Sequence, residues 1–220
     1  MKSKLFRLAL CLAALSMFTA CSLNWNGIRG SGVIKTESRE VTTFSSITFK
    51  SVGKLKIRQT GKESLTIIAE DNILPILEIR VSDQTLYINN IKSSSIDPTQ
   101  PIEFIVEVKS LERLDINGVG SIEVKDIQGK RLSVSLDGVG SIAIAGNVDV
   151  LEINLDGVGS FNGEELKAKQ ATVRNKGVGS AVVNVSEELN ATVMGIGSIE
   201  YIGSPQVKES VKGMGTIKKR

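Results

Sequence analysis

No histidine occurs among the 220 residues, and the chain has only two cysteines, one tryptophan and two tyrosines. Without histidine, the commonest general base and metal ligand is missing. The cysteines are Cys11 and Cys21. Cys11 lies inside an N-terminal apolar run that is read as removed, so no disulfide, thiolate metal site or thiol nucleophile is expected. Neither a cofactor nor a metal is expected. Aromatic residues make up 4% of the chain, which argues mildly against a sugar-binding platform, where rings pack on sugar faces. Long hydrophobic runs are also scarce. The one at Leu8–Phe18 falls short of the roughly 20 residues that a transmembrane helix needs.

What is there begins at the N-terminus. Lys2, Lys4 and Arg7 precede the apolar run, and "FTAC" (18–21) follows it. A basic start, a short apolar stretch and a small-residue site form a signal peptide over residues 1–20. The small residues before Cys21 resemble a bacterial lipobox, with an ordinary secretory cleavage site as the alternative. The resemblance implies that Cys21 becomes the mature N-terminus and carries acyl chains such as palmitate, each worth about 0.8 kcal/mol per buried CH₂. The membrane is then a partner through lipidated Cys21. Ser22 follows rather than aspartate, and by similarity to known sorting rules this implies the outer membrane. Without Lys2, Lys4 and Arg7, the 27 basic residues fall to 24, against 24 acidic ones. A neutral domain with scattered charge has no nucleic-acid footprint, and the final "KKR" (218–220) is read as a solvated end.

The dominant feature is a repeat. "NGVGSI" (117–122), "DGVGSI" (137–142), "DGVGSF" (156–161), "KGVGSA" (176–181), "MGIGSI" (194–199) and "KGMGTI" (212–217) follow at intervals of 20, 19, 20, 18 and 18 residues. A period near twenty, with no helical pattern inside it, marks a solenoid. Apolar residues alternate before each motif (Leu114 and Ile116, Val134 and Leu136) and after it (Ile122 and Val124, Ile142 and Ile144), as in strands with one buried face. The expected fold is all-β: a single-stranded parallel β-helix or β-solenoid with coils of about 18–20 residues over 111–217 and a less regular N-terminal β region. The motif is read as the corner of each coil, with the runs on either side out of phase and the middle residue (Val119, Val139, Val158, Val178, Ile196, Met214) pointing inward.

The corner residues are Gly118, Gly120 and Ser121; Gly138, Gly140 and Ser141; Gly157, Gly159 and Ser160; Gly177, Gly179 and Ser180; Gly195, Gly197 and Ser198; Gly213, Gly215 and Thr216. Glycine tolerates positive φ and lets neighbouring coils approach closely. The hydroxyls, about 4.8 Å apart in stacked coils, can bond to the corner backbone or to one another. Six copies of a nucleophile would serve no chemistry. Asp137 and Asp156 share a column with Asn117, Lys176, Met194 and Lys212. They are read as exposed turn residues that tolerate the left-handed conformation, not as metal ligands. Asn175 stands where other coils have Ile116, Leu136, Leu155, Val193 and Val211. Its amide needs partners if it is interior, unless a bulge turns it outward.

The N-terminal half lacks the motif. Residues 21–37 are read as a flexible tether; they include "SLNWNGIRGSG" (22–32), whose Trp25 lies close enough to Cys21 to sit at a membrane interface. Strands are expected in 39–50, 53–60, 64–70, 84–89 and 102–108, a short helical turn limited by Pro75 in 71–83, and a loop over 93–101. This half is read as irregular first coils that cap the solenoid.

"REVTTFSSITFKSVGKLKIRQT", then "TIIAEDNILPILEIRVSDQTLYI", then the Gly-x-Gly-Ser coils resemble the auto-transporter adhesin head GIN domain, a family of bacterial lipoproteins of unknown function. The resemblance spans residues 38–218. It implies a β-helix-like fold and adhesion, and brings no catalytic residues. The expected role is a lipid-anchored, non-enzymatic adhesion, binding or structural module of the bacterial cell envelope, with an envelope protein or glycan as partner. The alternative is a polysaccharide-active β-helix enzyme, for which Asp115, Asp126, Asp137, Asp149 and Asp156 are the metal-free candidates.

Overall fold

The computed structural model describes residues 27–91 and 95–220. The expected signal peptide, Cys21 and Trp25 lie outside the described residues. Among the described residues no helix is long and apolar enough to cross a membrane.

The repeat folds as its alternation demands. Strands β10 (Arg113–Ile116), β11 (Val119–Leu136), β12 (Val139–Leu155), β13 (Val158–Asn175) and β14 (Val178–Val193) stack in parallel, each coil on the one before it. Partners match motif to motif: Val139 lies over Val119, Gly140 over Gly120 and Ser141 over Ser121. β15 (Ile196–Ile202) and β16 (Gln206–Val211) form the next coil on β14, and β17 (Met214–Lys219) ends the stack on β15. Register shifts at Val124/Ile127 and Ala143/Gly146 mark where the coil bends on its far side. Val134, Ile153 and Val173 form one of the interior columns, fully buried. The β-solenoid is thus the fold.

The N-terminal half enters the same stack out of chain order. β3 (Ser46–Phe49) and β4 (Val52–Gln59) form the coil beneath β10 and β11. The chain then leaves through β5 (Ser64–Glu70), a 3₁₀ turn at Leu74–Ile76 and β6 (Leu77–Ser82). It comes back as β7 (Thr85–Asn90) and β9 (Glu103–Val108), which lie parallel to β3 and β4 on their outer side. β6 and β5 close this end by antiparallel pairing with β7 and β9. Phe49 and Phe104 meet edge to face at 5.5 Å in this part of the core.

Part of the stretch read as tether is ordered against this cap. β1 (Ile28–Arg29) pairs with β8 (Ile96–Asp97), inside the expected loop. β2 (Ile34–Arg39) runs antiparallel on β5. Arg39 donates to the carbonyls of Leu77 and Leu74 at 2.6 and 2.8 Å, tying β2 to the end of the 3₁₀ turn.

The two ends of the stack differ. Among the described residues β16 pairs only with β14, and β17 only with β15, so both leave a backbone edge open. At that open end Glu209 stands over Ala191, in the column of Val134, Ile153 and Val173. Lys219 stands over Tyr201 and Val183 and donates to Ser204 Oγ at 3.1 Å.

Candidate functional site

The corner differs from the expected one first in its phase, and that difference creates an apolar surface. The alternation does not change phase at the motif. Leu114, Ile116, Gly118, Ile122 and Val124 are all buried, while Asn117, Val119 and Ser121 are exposed. Val119, Val139, Val158, Val178, Ile196 and Met214 therefore point outward, not inward, and are 47–68% exposed.

The physical reason lies in the two glycines, which occupy inward positions. A Cβ on Gly138 would stand 2.0 Å from the carbonyl oxygen of Gly118, and one on Gly140 2.0 Å from that of Gly120. Neighbouring coils approach too closely for any side chain there, so the apolar residue between the glycines has only the outer face. Positive φ is a lesser requirement. Gly197 (φ 141°) has it, but Gly118 and Gly138 do not.

The result is an apolar ladder with rungs about 4.8 Å apart. One flank is the column Asn117, Asp137, Asp156, Lys176, Met194 and Lys212, all exposed. None of these is among the non-glycine residues with positive φ, namely Asp83, Gln84 and Asp126, so their turn role does not rest on the left-handed conformation. The other flank is the hydroxyl column. Within it Ser141 Oγ lies 3.5 Å from Ser121 Oγ, a long contact, and the column is exposed at Ser121, Ser141 and Thr216 and half-buried at Ser160, Ser180 and Ser198. A cryptic seventh rung precedes the six. Ser51, Val52 and Gly53 pair beneath the first motif, with Val52 under Val119 and Gly53 under Gly120. Sequence comparison missed it because serine replaces the first glycine; the Ser51 side chain is buried and donates to Asn90 at 2.7 Å.

Asn175 is interior and fully buried, so the outward bulge does not occur. Its Nδ2 donates to the Gly179 carbonyl at 2.8 Å, while Oδ1 has no partner.

Of the carboxylates considered for catalysis, three are taken up by cations, while Asp115 and Asp137 lie close enough to interact. Asp126 is held by Arg58 at 2.6 Å, Asp149 by Lys169 at 2.7 Å and Asp156 by Lys176 at 3.4 Å. The ion pair with Asp149 raises the Lys169 ammonium above its usual range. Asp115 titrates above the ordinary aspartate range because burial disfavours its charge; Arg113 opposes the shift and Asp137 adds to it. A depression of about 340 Å³ holds Glu123, Glu164 and Glu165, but Glu123 bonds Lys125 at 2.6 Å and Glu164 bonds Arg220 at 2.9 Å. No group of three or more metal-ligating side chains occurs among the described residues.

Comparison with known proteins agrees with the fold. A protein from Bacteroides fragilis, described as a "putative adhesin", has 28% identity and a TM-score of 0.74 over 88% of this chain and 100% of its own. Another "putative adhesin", from Parabacteroides merdae, has 19% identity and a TM-score of 0.51 over 89% of this chain and 99% of its own. A "putative lipid binding protein" from Parabacteroides distasonis has 22% identity and a TM-score of 0.51 over 88% and 99%. The last two share the fold alone. No curated protein matches significantly. The profile described as "Putative auto-transporter adhesin, head GIN domain" matches residues 43–205, most of the chain, and the protein belongs to that family.

Proposed function

We propose that this protein is a non-enzymatic adhesion module of the bacterial cell envelope, anchored through lipidated Cys21 in the outer membrane, with the apolar ladder as its contact face. The ladder itself carries this reading. Six apolar side chains are held outward in register by a backbone that admits no alternative, and contiguous apolar surface of this kind marks interaction sites. The adhesin descriptions of the family and of the Bacteroides fragilis relative support it. The separate cation pairing of Asp126, Asp149 and Asp156 weighs against the polysaccharide-active enzyme.

The test uses cells that display the full chain and measures their attachment to immobilised envelope fragments of the same bacterium. Val139→Lys combined with Val178→Lys places two charges on the ladder without touching the core, so melting should not change while attachment falls. Retained attachment would remove the ladder from the contact. Cys21→Ser should release the chain from membranes, and a membrane-bound Cys21→Ser form would overturn the lipid anchor.

A further inference from the structure

The contact face is self-complementary in charge, and we propose that its occupant is a second copy of this chain, packed face to face with the two ladders antiparallel. This rests on the ladder being the contact face. A two-fold axis across the ladder, midway between Val158 and Val178, brings those two rungs together and sets Val139 against Ile196 and Val119 against Met214 of the second copy. The flanking charges run in opposite senses along the ladder, with Asp137 and Asp156 in the first half and Lys176 and Lys212 in the second. Antiparallel pairing therefore sets Asp156 against Lys176 of the second copy. In the next column beyond the hydroxyls, it sets Glu123 against Lys218. By symmetry each pair occurs twice, and no two like charges meet within these columns. Lys50, in the coil before Val119, lies one rung beyond the paired stretch.

The other face-to-face arrangement, with ladders parallel, is disfavoured by the same columns. It sets Asp115 against Glu123 of the second copy, twice, and like charges across an interface oppose association. Stacking through the open end is also disfavoured, because Glu209 and Lys219 occupy interior columns there.

Size fixes the strength expected. Six rungs span about 24 Å and five outward columns about 27 Å. The face is thus about 650 Å², below the roughly 800 Å² per partner of a stable complex. The pairing is weak for single molecules and gains from many copies acting together. Antiparallel pairing also puts the two N-terminal ends at opposite ends of the dimer. Copies anchored by that end then meet across the gap between two facing surfaces, as adhesion requires.

Three measurements on the detergent-solubilised full chain test this. Sedimentation should show a reversible monomer–dimer equilibrium. Asp156→Lys should weaken it about tenfold, since two pairs reverse at once, and Asp156→Lys with Lys176→Asp should restore it. A mixture of Val139→Cys and Ile196→Cys chains should cross-link far faster than either alone. Facing sheets pack about 10 Å apart, beyond the roughly 7 Å between Cα atoms that a disulfide allows, so the link is made with a short bis-maleimide. The Val139 positions of two paired copies lie a further three rungs, about 14 Å, apart along the ladder. Equal cross-linking of Val139→Cys with itself would overturn the antiparallel register. Attachment to fragments from cells lacking this chain separates the two proposals. If the chain stays monomeric, and ladder-dependent attachment to those fragments persists, the second copy is overturned as partner and the contact face stands. If ladder substitutions leave both dimerisation and attachment unchanged, both proposals fall.

Discussion

At Gly138, a missing side chain decides the shape of a whole coil. Its inward position faces the Gly118 carbonyl so closely that even a Cβ would stand 2.0 Å away. Backbone on both sides of the contact leaves no flexible neighbour to yield. Gly138→Val should therefore push two coils apart and cost about 3 kcal/mol, the upper end of ordinary overpacking, read as a fall in melting temperature. An unchanged melting temperature would mean that the coils are not in contact at the corner. The sequence made this requirement legible, since six glycine pairs in register call for close approach. The direction of the residue between them was not legible in the same way. Ile116 and Ile122 stand six residues apart and share the buried face, so the out-of-phase reading is an error: two glycines carry no hydropathy, and the interior face looks interrupted just where it continues. Asn175 shows the complementary limit. Its column identified it as the one polar residue among apolar ones, yet only geometry shows one amide end bonded and the other buried without a partner.

At the scale of elements, the cap depends on a carboxylate that no repeat could reveal. Glu70 ends β5 fully buried. It accepts from the Gly32 amide at 2.7 Å, the Thr99 amide at 2.9 Å and the Thr99 hydroxyl. It thereby ties together the strap before β2, the end of β5 and the loop after β8. These contacts, the Thr99 hydroxyl first, hold its titration below the ordinary glutamate range. A carboxylate with a depressed folded pKa contributes stability above its unfolded value and loses it as the pH falls through the folded one. The strap should accordingly loosen in acid, below the usual glutamate range, before the coils do. Hydrogen exchange at residues 28–39, corrected for intrinsic rates, should show this acid-dependent opening. Glu70→Gln should open the strap already at neutral pH and flatten the dependence. Protection unaffected by either change would remove Glu70 as the tie. The sequence offered little here: strand positions were readable from alternation, but the strap reads as a Gly-rich tether because its partners lie about 40 residues away, at Glu70, Asp71 and Asn72. The crossing of β7 and β9 to the outer side of β3 and β4 is equally non-local, which is why chain order misleads there.

For the whole molecule, the question is what stops a stack of identical coils from continuing into another molecule. An open parallel edge over an apolar core is a template for further pairing. One end is closed by the antiparallel strands β5 and β6. The other has no such cover among the described residues, and two residues there are turned into the interior columns. Glu209 follows Val173 and Ala191, and Lys219 follows Val183 and Tyr201. A further coil laid on this end would bury both charges, at a cost of several kcal/mol per ion after relaxation. The terminal basic cluster acts with them, although Lys218 and Arg220 are drawn back onto Glu200 and Glu164 at 3.1 and 2.9 Å. Glu209→Val combined with Lys219→Ile should restore apolar columns to the last rung. The variant should then assemble end to end, seen as species larger than a dimer in sedimentation and as rods in electron micrographs. The wild-type chain, with only its side face free, should stop at two. A double variant that assembles no further than the wild type would show that the inward charges are not what blocks the edge, and would shift that role to Lys218 and Arg220.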